Sequence, residues 1–188
     1  IIYSETFKNA LQFSKTNKLF LGLGNPNAKI LFIGKEAAID KEASTLQYEI
    51  EVVNNVTNWE HNCEVNKQFD EVDNWFMDYG IPKYNPLCPY KGQKNTIHRH
   101  KNVEDKIISN GGTSKTWYNY QKIIDALFYN AIQSENINFH EHVFISELNQ
   151  ETGKYSHLVP KDKREKSIAN SNKVININNW RDLIYFSL

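Results

Sequence analysis

Two stretches of this sequence place ionisable groups where chemistry could be done. In the first, Lys29-Ile30-Leu31-Phe32-Ile33-Gly34 is followed at once by Lys35-Glu36-Ala37-Ala38-Ile39-Asp40. In the second, Val143-Phe144-Ile145-Ser146 runs into Glu147 and then Asn149. Both begin as short apolar runs of the kind a buried strand requires, and helices on both sides of a parallel sheet make such runs nearly continuous. Open α/β sheets bind their ligands beyond the carboxyl ends of the strands, where Gly34 would let the chain turn. The first run is expected to be the sheet's central strand; an ammonium and two carboxylates follow it, and Glu147 ends the second. A carboxylate at the end of a buried strand is costly unless it is paired or used.

A different chemistry is written into residues 91–101. Lys91, Lys94, His98, Arg99, His100 and Lys101 form a basic cluster with no acidic residue among them, and Tyr84 and Tyr90 lie just upstream. Cations interleaved with rings suit phosphate contact combined with base stacking, and equally suit a solvated loop. His98 and His100 lack a third ligand nearby for zinc. Gly111-Gly112-Thr113-Ser114 opens a helix whose expected apolar face is Trp117, Tyr120, Ile124, Leu127, Phe128 and Ala131. Two glycines and a hydroxyl at a helix start offer backbone N–H groups to an anion. Ser114-Lys115-Thr116 is no P-loop, because no apolar strand precedes the glycines.

The bulk composition limits the field. With 188 residues, 40% of them hydrophobic, the chain can bury one substantial core, so a single domain over residues 1–188 is expected. Lysine plus arginine and aspartate plus glutamate both total 22, which excludes a whole-chain field attracting nucleic acid and confines any polyanion site to a local patch. Cys63 and Cys88 have no CxxC spacing, and no apolar run reaches the length of a signal or transmembrane segment. A reduced, cytoplasmic protein away from membranes is the expectation, with its oligomeric state open.

Several further elements must position these groups. Ser4 predicts an N-cap for a helix carrying Phe7, Leu11 and Phe13 and closing at Asn17. Leu19 to Pro26 is similar to the opening of peptidyl-tRNA hydrolases and departs from them at Asn27; its Gly24-Asn25-Pro26 is equally a turn feeding the central strand. Ala43, Leu46, Ile50 and Val53 predict an amphipathic helix over 41–54, and a helix is expected around 64–79, followed by a long loop. His140 and His142 alternate at the entry to the second strand, as at a strand edge. A charged helix over 160–172, a short strand at 174–177 and a last helix at 180–186 complete the reading.

Taken in this order, the parts resemble the uracil-DNA glycosylase superfamily from about Leu19 to Asn149. In that superfamily the first strand ends in a Gly-containing catalytic loop, and Gly34-Lys35-Glu36-Ala37-Ala38-Ile39 stands in its place, with Glu36 at the position of the water-activating aspartate. The strand ending at Glu147 stands where the family carries a base-reading asparagine. Gly112-Thr113 and the helix through Trp117 and Tyr120 resemble the glycine-rich helix start between those strands. The resemblance implies an α/β fold, a three-layer α/β/α sandwich around a central, mainly parallel sheet of about four strands. It also shows departures: the loop proline is missing, glutamate replaces asparagine, and no His-Pro-Ser-type motif is present. The family continues with further strands beyond the point where this sequence stops, so a shortened relative or part of a longer chain is expected.

What the resemblance implies for mechanism is hydrolysis of an N-glycosidic bond in DNA without a metal or cofactor. A carboxylate beside the oxocarbenium-like sugar stabilises charge or orients water, which would be the role of Glu36, while Lys35 would serve the departing base. The base must leave the stack, and Tyr90 or Trp117 would recover part of that cost by stacking. Ionised Glu147 cannot donate to uracil O4 but accepts well from amino or ring N–H groups, which favours a cytosine-like or guanine-like base. Gly34, Asp40, Gly112, Thr113 and Asn149 complete the expected substrate site, with residues 91–101 on the nucleic acid. Two alternatives stand beside this: a non-catalytic nucleic-acid-binding protein on the same fold, and a metal-dependent nucleotide hydrolase using Glu36, Asp40 and Glu147.

Overall fold

The computed structural model describes residues 1–34, 37, 39–72, 84–89, 115–132, 137–149, 152–153, 161–162 and 165. The first helix, α1 (Glu5–Asn17), forms as its sequence predicts: Ser4 Oγ accepts from the Phe7 N–H at 3.2 Å, and Lys18 closes the helix in the left-handed conformation at φ 56°. Phe7, Ala10, Leu11 and Ser14 make its buried face, whereas Phe13 points outward and is 40% exposed.

Both apolar runs are strands. β2 (Ile30–Gly34) and β3 (Val143–Glu147) pair in parallel, with Ile30 opposite Val143, Phe32 opposite Ile145 and Gly34 opposite Glu147. A third strand, β1 (Leu23–Gly24), joins the other side of β3 in antiparallel orientation, so the order is β1-β3-β2. The described sheet is therefore mixed and three-stranded, where a mainly parallel sheet of about four strands was expected. Among the described strands the inner one is β3. β3 is buried along Val143 to Ser146, whereas β2, expected at the centre, is only half-buried throughout.

Side chains alternate between the two faces of a strand. Leu31 and Phe144 join α1 and the helix α3 (Asn55–Glu64) in one apolar cluster with Phe7, Leu11, Leu21, Trp59 and Leu87. Ile30, Phe32, Val143 and Ile145 join α4 (Lys115–Phe128) and the single turn α5 (Phe139–His142) in another, with Ile124, Ile137 and Phe139. Trp59 is the pivot of the first cluster, fully buried between Phe7 at 5.0 Å and Phe144 at 6.2 Å.

The approach of β1 to β3 depends on glycine. Gly22 (φ 145°) and Gly24 (φ 89°) adopt backbone conformations that L side chains rarely take, and each lies against main-chain atoms of β3. The Leu21–Gly22 backbone finds its partners in side chains instead of a ladder: Asn55 Oδ1 accepts from the Leu21 N–H at 3.0 Å, and Asn55 Nδ2 and Trp59 Nε1 donate to the Gly22 carbonyl at 3.0 and 2.8 Å. Ser146 Oγ donates to the Leu21 carbonyl at 3.1 Å. Asn55→Ala would strand the buried Leu21 N–H, and a loss of about 1–3 kcal/mol is expected in equilibrium denaturation. An unchanged midpoint would contradict this account.

Elsewhere the helices differ from expectation. In place of one amphipathic helix over 41–54, the chain forms α2 (Thr45–Tyr48), a π-helical turn (Glu49–Val53) and then α3. Leu46 and Val53, expected on its apolar face, are 60% and 56% exposed. α3 ends at Glu64, where a helix over 64–79 was expected to begin; residues 65–72 contain only a 3-10 turn (Phe69–Glu71), and 73–79 lie outside the described residues. Within the loop expected after that helix, residues 84–89 form a tight turn in which Leu87 is wholly buried and Asn85 exchanges two 2.9 Å hydrogen bonds with Asn62. The entry to β3 is a helical turn and not a strand edge. Of the expected helix over 160–172, Lys161, Asp162 and Glu165 are helical, with a 3.7 Å ion pair from Lys161 to Glu165; the elements expected at 174–177 and 180–186 lie outside the described residues.

Candidate functional site

Parity and register together decide what meets at the carboxyl ends of β2 and β3. Gly34 and Glu147 are opposite one another on the face that carries Phe32 and Ile145, beneath α4. A Cβ on Gly34 would overlap the Glu147 carboxylate, so the absence of a side chain there is what lets Glu147 lie across β2. The Tyr120 ring packs on Phe32 at 4.5 Å, one same-face step back along the strand, roughly 7 Å. Trp117, one turn earlier on α4, lies 5.8 Å from Tyr120 and stacks on Phe139 at 5.4 Å with the rings 16° apart. Gly34, Trp117, Tyr120 and Glu147 are all half-buried.

The loops leaving both strands are tied together. Leu148 N donates to the Gly34 carbonyl at 2.9 Å, extending the ladder past the strand ends, and Gly153 N donates to the Ala37 carbonyl at 3.0 Å. Asn149 and Thr152 are buried between these ties, at 7% and 9% exposure. The Thr152 hydroxyl makes no hydrogen bond among the described residues. Asp40 serves the local backbone, since its Oδ1 accepts from the Glu42 and Ala43 N–H groups, both at 3.2 Å, and caps the turn before α2. Lys35, Glu36, Tyr90, Gly112, Thr113 and the basic cluster Lys91, Lys94, His98, Arg99, His100 and Lys101 lie outside the described residues. Among the described residues, no group of three histidine, cysteine or acidic side chains could hold a metal ion.

Electrostatics connects Tyr120 with Glu147. Burial, reinforced by the Glu147 carboxylate, pushes the Tyr120 phenol from its usual value near 10 up to about 12. The phenol therefore remains a hydrogen-bond donor across the ordinary pH range. Glu147→Gln removes one of the two causes and should move the Tyr120 titration back toward 10. Tyrosinate absorbance, with Tyr120→Phe identifying the transition, reads this shift directly; an unmoved transition would place Glu147 too far away to matter.

The same shift has a stability consequence. A phenol whose native value is raised favours the folded state below pH 10, and that contribution disappears as pH rises through about 12. Burial also raises the Tyr3 and Tyr84 phenols and pushes the Cys63 thiol up to about 11. Melting temperature should thus fall progressively between pH 9 and 12, less steeply in Tyr120→Phe.

Helical spacing puts Tyr120 on the apolar face of α4 without assigning it to the site. It also misses that the buried face of α4 contains Gln121 and Asp125, while Leu127 and Phe128 are 59% and 52% exposed. A glutamine and an aspartate four residues apart between Trp117 and Phe128 were the available signal. Comparison of the chain with protein-family models, with curated proteins and with solved structures finds no match. None of the described helices is long and apolar enough to cross a membrane.

Proposed function

We propose that the chain acts on DNA, receiving an extruded base at the rim formed by Gly34, Trp117, Tyr120 and Glu147. The observation that carries this reading is the seating of Glu147 over Gly34 at the carboxyl ends of two parallel strands, where open α/β sheets take their ligands. The carboxylate accepts from amino or ring N–H groups, the protonated Tyr120 phenol donates, and the half-buried indole of Trp117 offers a surface for the base. A cytosine-like or guanine-like base fits that set better than uracil. In this reading the helices packed on both sides of the sheet make an α/β/α sandwich. Glu36 orients water for cleavage of the N-glycosidic bond, Lys35 assists the departing base, and the basic cluster in 91–101 holds phosphates.

Asp40, engaged in capping its turn, gives the metal-dependent hydrolase less support. The test is a panel of duplexes and single strands, each carrying one modified base, assayed for binding and for base release with the wild type, Glu36→Gln and Glu147→Gln. Base release that depends on Glu36, with preference for one amino-bearing base that depends on Glu147, is the expected result. Binding without release makes the chain a non-catalytic binding protein. Equal affinity for all bases, unchanged in Glu147→Gln, overturns the base-reading site.

A further inference from the structure

A hydrogen-bonded chain of side chains outside the rim connects α4 to α5. Gln121, 2% exposed, stands at its inner end: its Oε1 accepts from the Asn138 and Phe139 backbone N–H groups at 2.8 and 2.9 Å. Backbone N–H groups only donate, so this oxygen is fixed as the acceptor and the Gln121 amide can point only one way. Its Nε2 must then donate, and it does so to Asp125 Oδ1 at 3.0 Å and to Asn138 Oδ1 at 2.8 Å. Asn138 is thereby oriented in turn, and its Nδ2 donates to the Tyr129 oxygen at 2.8 Å. That oxygen lies 3.0 Å from His142 Nε2. With the phenol oxygen accepting from Asn138, its own hydrogen is available to Nε2 when His142 is neutral and carries its proton on Nδ1. The two main-chain donors on Gln121 thus orient a chain of amides that ends at a half-buried imidazole.

We propose that this chain is a proton-sensitive latch holding α4, and with it Trp117 and Tyr120, in register with β3. Protonation puts a hydrogen on Nε2, facing the hydrogen of Tyr129, and the phenol cannot accept from both Asn138 and His142 while keeping a partner for its own proton. The released ring keeps its stack on Phe128, 4.8 Å away with the planes 24° apart, which gives the charged form a place to rest. The consequence reaches the rim through Phe139, whose N–H is held by Gln121 and whose ring contacts both Trp117 and Tyr120. The latch is therefore closed when the imidazole is neutral and open when it is protonated.

Among the ionisable groups of the described residues, Lys29, exposed one residue before β2, stands next to His142 by the parallel register. From α4 and the residue after it come the Tyr129 phenol and, behind Gln121, the Asp125 carboxylate. β1 carries none, and the one in β3, Glu147, is at the far end of the strand. On α5 itself, Glu141 is exposed and His140 packs against Phe69 and Phe139.

The effect on the rim's ligand rests on the base-binding reading above; the latch itself does not. The experiment measures hydrogen-exchange protection factors of the α4 amides in the ligand-free chain from pH 8 to 5, alongside the NMR titration of the His142 ring. Protection of Ile124 to Phe128 should fall about tenfold across the His142 titration, the equivalent of one hydrogen bond. Tyr129→Phe and His142→Gln, whose amide oxygen can accept from Tyr129 at every pH, should each abolish that response. Protection that ignores the His142 titration in the wild type, or a response that survives in a folded variant of either kind, overturns the latch. Because no nucleic acid is present, failure of DNA binding at pH 8 would refute the base-binding site and leave this result standing.

Discussion

Under the proposed base-binding role, Gly34→Ala should leave the chain folded and weaken ligand recognition at the rim. Gly34 has ordinary extended backbone within β2, so alanine brings no conformational strain, and the new methyl collides with the movable end of a glutamate side chain and not with main chain. The cheapest relaxation swings the Glu147 carboxylate off β2. A charge-assisted hydrogen bond contributes about 1.5–3 kcal/mol, so base affinity should fall roughly tenfold to hundredfold, with little change in the denaturation midpoint. The decisive measurement is a double-mutant cycle with Glu147→Gln. Because both substitutions remove the same carboxylate, their effects must fall well short of additive. Additive losses would mean that Gly34 acts through the backbone or through another partner.

Gly22→Ala is the opposite case and carries the largest expected effect on stability. Its φ of 145° disfavours any side chain, and a Cβ would stand 2.5 Å from both the Ile145 carbonyl oxygen and the Phe144 ring. Neither can retreat, since Ile145 lies in the inner strand and Phe144 is held between Phe7 and Trp59. Backbone strain and overpacking together should remove about 2–6 kcal/mol, a large part of the stability of an ordinary domain. Urea denaturation followed by tryptophan fluorescence would show it. A variant of near-native stability would mean that the close approach of this segment to β3 is not as described.

These two glycines show how legibility varies along the chain. Gly34 is legible as the end of a strand, because four apolar residues precede it, yet its service to Glu147 is not, because its partner lies across the sheet. Gly24 reads as a turn former feeding β2, and the approach of Gly22 and Gly24 to β3 leaves no periodic trace in a strand only two residues long. Glu36, expected beside Glu147, lies outside the described residues, and what the described residues place near Glu147 is Gly34 and Tyr120. Asn55 and Gln121 have no apolar signature at all. Each is nonetheless buried, serving as an artificial stretch of backbone for a segment that lacks a ladder of its own.

By itself the sequence determined what depends on neighbours: the Ser4-capped first helix, the strands ending at Gly34 and Glu147, and the presence of a helix through Trp117, Tyr120 and Ile124. Caps, side-chain alternation and helical spacing act over one to four residues and can be read directly. Tertiary structure alone decided that β3 is the inner strand, that α3 forms around Trp59, and that Glu147 finds its space over Gly34. The physical reason is separation along the chain. The Ser146–Leu21 hydrogen bond spans 125 positions, and no local preference can specify which of two apolar runs will receive a neighbour on both sides.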